Sequence, residues 1–272
     1  MLFVSPAWVA ENAPRVRILD ASWHLPAAGR DAAAEFTAAH VPAAQRFDLD
    51  LIADPDAPLA RTAPAPDVFA KHMEALGISE TDHVVVYDSE GLYSAARAWW
   101  MFRLYGHAQV SILAGGLPAW RAAGLPLATG AAEVPAPASY SAGYAPELLA
   151  HRAEVMTAME NGTARILDAR ATAAFAGSEA PRTGHIPTAR NLPFPAVVAA
   201  DGTLKAQADL AAAFADAGVA EDAPLILSCG SGVTACILAV AAESLGRDWK
   251  VYGGSWADWA SDPALPVAKG AV

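Results

Sequence analysis

The chain repeats itself. Ile18-Leu19-Asp20-Ala21-Ser22 returns as Ile166-Leu167-Asp168-Ala169-Arg170, 148 residues later. His40-Val41-Pro42 returns as His185-Ile186-Pro187 at an offset of 145, and Val84–Asp88 is answered by Leu225–Cys229 at an offset of 141. Gly115-Gly116 and Trp120 are echoed by Gly253-Gly254 and Trp256. Landmarks that recur in one order with slowly drifting offsets mark a duplicated domain. A solenoid would repeat every ~20–50 residues. The length of 272 residues suits two domains of ordinary size.

Each half follows one grammar: a short aliphatic run ends in a polar residue and a helical stretch follows. Val84–Tyr87 then Ala95–Leu104 is one such unit, and Leu225–Leu227 then Val233–Leu245 is its twin. Apolar runs without alternation indicate strands buried on both faces. Strands alternating with helices predict an α/β fold, two tandem domains each with a parallel sheet flanked by helices. Residues 130–146, rich in Ala, Pro, Ser and Gly and including Val134-Pro135-Ala136-Pro137, read as a linker. The expected division is a first domain over 1–129 and a second over 147–272.

Composition excludes several classes. Charged residues are only 17% of the chain against 54% hydrophobic, which argues against a disordered protein. The net charge of −11, without a Lys/Arg run, does not fit a nucleic-acid or anionic-membrane binder. The longest apolar stretch near a helix, Ala235–Ala242, is far short of the ~20 residues needed to span a bilayer. The N-terminal residues lack a basic segment followed by a continuous apolar one, so no signal peptide is read. Two cysteines, Cys229 and Cys236, cannot staple a chain of this size. A reducing, cytoplasmic location is expected.

Ligands of open α/β sheets bind at the carboxyl ends of strands. Two twin loops stand there, Asp88-Ser89-Glu90-Gly91-Leu92-Tyr93-Ser94 and Cys229-Gly230-Ser231-Gly232-Val233-Thr234. In the second, Gly230 and Gly232 let the backbone curl so that several N–H groups face one atom. Together with the following helix N-terminus they favour a thiolate at Cys229, a nucleophile activated without a neighbouring base. The bland alternative, a buried small hydrophobe, suits Cys236 better, two helical turns further on. A phosphatase cradle needs Arg six residues after its Cys to hold phosphate; Ala235 stands there. His40 and His185 recur in both halves, one of which lacks the Cys, so a structural role is expected. Asp20 and Asp168 read the same way. No metal-ligand cluster or nucleotide-binding loop is present in the sequence, and no cofactor is expected.

These residues resemble the tandem-domain rhodanese family, in particular its mercaptopyruvate sulfurtransferase branch. The resemblance spans the chain through Leu19-Asp20-Ala21-Ser22-Trp23, Gly91-Leu92-Tyr93-Ser94-Ala95, Trp99-Trp100-Met101-Phe102 and Gly254-Ser255-Trp256. Its most specific segment is Cys229-Gly230-Ser231-Gly232-Val233-Thr234-Ala235. It implies two rhodanese domains, of which only the second carries the cysteine. It also implies sulfur transfer from a small anionic donor, through a Cys229 persulfide, to cyanide or to a thiol acceptor such as thioredoxin or a small thiol. The protein is expected to act as a monomer. The thiosulfate branch has cations at the two positions after the cysteine; here these are Gly230 and Ser231, which favours 3-mercaptopyruvate.

Two positions depart from the family pattern. Its Asp–His–Ser relay would use Asp50 and Ser231, but Arg61 stands where the family has His, and Arg cannot shuttle protons at neutral pH. Ala174 replaces an Arg expected to clamp the donor carboxylate, while Arg182 survives and could bind one. Arg61 is therefore expected to supply the missing cation. Two other readings stay open: thiosulfate:cyanide transfer, and a persulfide carrier or redox sensor with poor donor turnover.

Overall fold

The computed structural model describes residues 1–133 and 135–270; Val134, in the stretch read as a linker, lies outside the described residues. Two compact units divide the chain. The first holds Met1–Ala57, Ala63–Ala145 and Ala200–Leu204; the second holds Pro58–Thr62, Pro146–Ala199 and Lys205–Val272.

The first unit is a five-stranded parallel sheet of β1 (Phe3–Val4), β2 (Val16–Asp20), β3 (Gln45–Arg46), β4 (His83–Tyr87) and β5 (Val110–Leu113), ordered β1-β5-β4-β2-β3. Its helices are α1 (Pro6–Asn12), α2 (Ala32–Ala38), α3 (Pro66–Ala75), α4 (Ala95–Leu104) and α5 (Gly116–Ala122). Val84 to Tyr87 are all buried, as expected for a central strand covered by helices on both faces. On one face Val9, Phe36, Val41, Val85, Tyr87, Leu113 and Trp120 form the core. Aromatic rings supply much of the other: Phe69 packs against Phe47, Phe102 and Tyr105, with ring centroids 4.1 to 6.5 Å apart. Local chemistry sets the helix starts. Ser5 accepts the Trp8 N–H, and Asp31 accepts those of Ala33 and Ala34, each capping a helix N-terminus.

The second unit repeats this design. Its strands are β6 (Leu149–Ala150), β7 (Arg165–Asp168), β8 (Arg190–Asn191), β9 (Leu225–Ser228) and β10 (Trp249–Tyr252), parallel and ordered β6-β10-β9-β7-β8. Its helices are α6 (Arg152–Asn161), α7 (Thr172–Ala176), α8 (Gln207–Asp216), α9 (Ala235–Ser244) and α10 (Ser255–Ser261). Every element has its counterpart in the first unit. β4 aligns with β2 from Val16 opposite His83 to Asp20 opposite Tyr87, and β9 aligns with β7 from Arg165 opposite Leu225 to Asp168 opposite Ser228.

The repeated histidines do one structural job. His40 stacks on Phe36 at 3.9 Å and donates from Nδ1 to the Phe36 carbonyl; His185 stacks on Phe175 at 3.7 Å and donates to the Phe175 carbonyl. The tryptophan pairing differs from that expected. Trp120 Nε1 donates to Pro126 O and Trp259 Nε1 donates to Pro266 O, both at 2.8 Å. Trp120 is thus the twin of Trp259, not of Trp256. Likewise Leu117 N–H reaches Asp88 O and Trp256 N–H reaches Cys229 O, which makes Ser255 the counterpart of Gly116. The glycine pairs had suggested a register one residue away.

The stretch read as a linker also behaves differently. Residues 135–145 belong to the first unit. Ala138 N–H donates to Glu74 O, Gly143 N–H to Tyr105 O and Ala145 N–H to Leu104 O. Tyr140 is buried and lies parallel to His107 with centroids 5.8 Å apart. The Tyr140 hydroxyl donates to His107 Nδ1 at 3.1 Å while His107 Nε2 donates to Asp82 O at 2.9 Å. Burial pushes the His107 imidazole down, and the neutral ring is the form that both accepts and donates.

One core position separates the repeats. Tyr87 ends β4 with its hydroxyl accepting the Val41 N–H at 3.2 Å. Its twin Ser228 is buried, and its hydroxyl has no hydrogen-bond partner among the described residues. Removing an unsatisfied buried hydroxyl relieves a desolvation penalty. Ser228→Ala should therefore leave stability in urea unfolding unchanged or raise it by about 1 kcal/mol. A clear loss would contradict this view of the core.

Candidate active site

Six residues, Cys229 to Thr234, connect β9 to α9. The loop is tied to the start of α10. Cys229 N–H donates to Ser255 Oγ at 3.0 Å, Trp256 N–H donates to Cys229 O at 3.0 Å, and Ala257 N–H donates to Gly230 O at 2.9 Å. Within this frame the Gly232 N–H points at Cys229 Sγ, 3.1 Å away. Gly232 has φ +78°, a left-handed conformation that costs an L-residue ~1–2 kcal/mol. Cys229 is 1% exposed. Val233 is buried in the second unit, whereas Gly230, Ser231 and Thr234 are half-buried. A Cβ built on Gly230 would meet nothing within 4 Å, so the loop is open on that side.

The first unit contains the same loop with an anion of its own. Asp88, fully buried, stands at the position of Cys229. Its carboxylate accepts the N–H groups of Glu90, Gly91, Tyr93 and Ala95, each at 2.8 Å. Burial pushes this carboxyl upward while the four donors pull the other way, and burial has the larger effect. Four backbone donors thus converge on the carboxylate of the first loop, and at the equivalent point of the second the Gly232 N–H meets a sulfur. Asp88→Asn would turn an amide NH₂ against N–H donors, leaving buried donors unpaired. We predict a loss of about 3 kcal/mol or more in urea unfolding, and unaltered stability would contradict the assignment.

Ser255 is the residue that sequence reasoning missed. It is fully buried with φ +50°. Its hydroxyl accepts the Cys229 N–H, donates to Tyr252 O at 2.8 Å and lies 3.9 Å from Cys229 Sγ. At its twin Gly116 a Cβ would fall 2.4 Å from Asp88 O. A serine in a left-handed turn where the other repeat has glycine was the available signal, hidden by the wrong register.

Asp50 lies in the first unit, exposed, and its carboxylate accepts the Trp23 indole N–H at 2.9 Å. Arg61 belongs to the short segment Pro58–Thr62 of the second unit, the unit of Cys229. Arg182 spends most of its donors within its own unit. Its guanidinium donates to the carbonyls of Trp259, Ala260, Asp262 and Leu265, at 2.5 to 3.1 Å. These are carbonyls at and beyond the end of α10, so the side chain stabilises that helix terminus. Arg170 pairs with Asp168 and lies over the Trp256 ring at 4.8 Å, bracing the residue next to Ser255. Among the described residues no cluster of His, Cys, Asp and Glu could hold a metal ion, and no helix is long and apolar enough to cross a membrane.

Fold and loop together define a class: tandem α/β repeats with a cysteine seated in an amide-lined loop at a strand end. Comparison with known proteins narrows it. The family model described as rhodanese-like domain matches residues 5–123 and 151–262. Human 3-mercaptopyruvate sulfurtransferase is 41% identical over 94% of this chain and 91% of that protein. Thiosulfate/3-mercaptopyruvate sulfurtransferase 1 of Arabidopsis thaliana is 39% identical over 97% of this chain and 77% of its own length. The crystal structure of SseA from Escherichia coli superposes with a TM-score of 0.86 at 39% identity, covering 94% of this chain and 99% of that one. The chain belongs to the rhodanese family.

Proposed function

We propose that this sulfurtransferase takes sulfur from 3-mercaptopyruvate onto Cys229 and passes it to a thiol acceptor, a small thiol or thioredoxin. The observation that carries this reading is the Gly232 N–H aimed at Cys229 Sγ at 3.1 Å, in a loop whose twin gathers four N–H groups on one carboxylate. In the first half-reaction the Cys229 thiolate attacks the donor sulfur. The carbon–sulfur bond breaks, its electron pair goes to the methylene carbon, and the thiol proton ends on that carbon to give pyruvate. Cys229 is left as a persulfide anion, which the loop amides stabilise. In the second, the acceptor thiolate attacks the outer sulfur and the Cys229 thiolate leaves. Both cysteines are free, which supports a reducing location such as the cytoplasm.

Arg61 is assigned to the donor carboxylate. The internal repeat supports this. Ala200–Leu204 groups with the first unit as Pro58–Thr62 groups with the second. At the loop offset of 141, Arg61 corresponds to Gly202, and both have left-handed φ, +60° and +77°. A Cβ on Gly202 would lie 3.0 Å from Glu90 O and Gly91 Cα, the twins of Ser231 and Gly232. By that correspondence the reading sets Arg61 over the Cys229 loop, with Ser231 beside the departing pyruvate. Arg182 has four of its five N–H donors on carbonyls, so Arg61 is the better-placed cation in this reading.

Pyruvate release from 3-mercaptopyruvate with excess dithiothreitol tests the reading. Turnover should be sustained, abolished in Cys229→Ala, and higher in kcat/KM than with thiosulfate, because Gly230 and Ser231 offer a dianion no charge. A single stoichiometric burst without turnover would point to a persulfide carrier, and a preference for thiosulfate would reverse the donor order. For Arg61→Ala, kcat/KM with 3-mercaptopyruvate should fall about tenfold or more; an unchanged value would remove Arg61 from the donor site.

A further inference from the structure

The unused thiol, Cys236, is buried in the second residue of α9. Its Sγ donates to Gly232 O at 3.3 Å, the carbonyl four residues back, a bond that Ser and Thr side chains commonly make in helices. Gly232 is the residue whose N–H faces Cys229 Sγ. The two contacts lie on opposite sides of the Gly232 Cα, so together they restrain both of its backbone dihedrals. Glycine at φ +78° has wide conformational freedom, and a small rotation would swing its N–H off the sulfur.

The other repeat shows why such a restraint is needed on one side only. The twin of Cys236 is Ala95, whose N–H donates to the Asp88 carboxylate along with three others. That central acceptor organises the first loop from within. In the second loop the Cys236 N–H donates to Val233 O at 3.1 Å, and the side chain reaches back to Gly232 O. We infer that Cys236 is a positioning residue: its thiol holds Gly232 in the conformation that presents an N–H to the reacting sulfur. The inference rests on Cys229 as the nucleophile, and the role is carried through Gly232 with no contact to donor or acceptor.

The test separates donor ability from side-chain volume. Cys236→Ala and Cys236→Val remove the donor, the latter keeping bulk; Cys236→Ser keeps a donor in reach of the same carbonyl. Full-length variants are compared for kcat and KM with 3-mercaptopyruvate and for the rate of Cys229 alkylation by iodoacetamide, with melting curves confirming folding. Loss of the restraint should lower kcat and the alkylation rate about fivefold in Cys236→Val and Cys236→Ala, leave KM within about twofold, and be largely reversed in Cys236→Ser. Wild-type rates in the Ala and Val variants would overturn the inference. So would a Ser variant as impaired as Ala, or faster alkylation, which would mean a loosened loop exposing Cys229. Alkylation needs no sulfur donor, so it reports on Cys236 even if 3-mercaptopyruvate proves the wrong substrate.

Discussion

The site depends on one constraint: a buried strand must hand over to a helix through a loop whose buried amide N–H groups each need an acceptor. β9 is covered on both faces, so its end lies inside the unit, and buried amides need an acceptor. The residue directly after the strand is the one in reach. Whatever side chain stands there receives the field of those donors and of the helix N-terminus behind them. A carboxylate in that place completes a structural knot. A thiol in that place meets the Gly232 N–H instead.

The two halves record that choice at several positions. Asp88 corresponds to Cys229, Gly116 to Ser255, Ala95 to Cys236 and Tyr87 to Ser228. On the first side of each pair the residue satisfies the fold: four amides on Asp88, a Cβ-free turn at Gly116, a hydroxyl used at Tyr87. On the second side the same places hold the Cys229 thiol, a hydroxyl at its N–H, a thiol on Gly232 O and an unsatisfied hydroxyl. The second repeat accepts strain at Ser255 and an unpaired polar atom at Ser228, and such costs persist where surrounding structure over-determines them. The non-catalytic repeat, freed from chemistry, settled each position in favour of packing.

Much of this was legible in the sequence because duplication is a long-range signal that needs no three-dimensional knowledge. The α/β class, the parallel sheets, the twin loops and Cys229 at a strand end all follow from repeated landmarks and unalternating apolar runs. What escaped was set by local register and by single hydrogen bonds. Trp256 matched Trp120 by its nearness to a glycine pair, yet the Pro126 and Pro266 carbonyls show that Trp259 is the true partner. The Pro- and Ala-rich stretch after residue 130 has a linker's composition, but Tyr140 and three backbone hydrogen bonds lay it on the first unit. Arg182 had the right residue type for a carboxylate, and only its four carbonyl partners show it at a helix end. Composition and residue type cannot report which acceptor a donor will find.

Electrostatics decides how an anionic donor reaches such a site. A net charge of −11 opposes it at long range, but at physiological ionic strength the screening length is about 8 Å. Acidic side chains further away than that contribute little at Cys229. Inside that radius fixed dipoles matter more, because they sit in a poorly screened interior and need no reorganisation when charge arrives. The sulfur anion formed in the transfer is small, monovalent and covalently held, so a few aligned amides suffice for it. The donor's carboxylate is mobile and must be captured from water, and for that a full charge is the better tool. The division of labour we propose is amides for the sulfur and an arginine for the carboxylate, which requires the arginine to come from outside the loop. Gly230 and Ser231 keep the loop itself free of side-chain charge, so the field at the sulfur comes from backbone dipoles together with the Ser255 hydroxyl. That is why the dihedrals of one glycine carry so much of the chemistry.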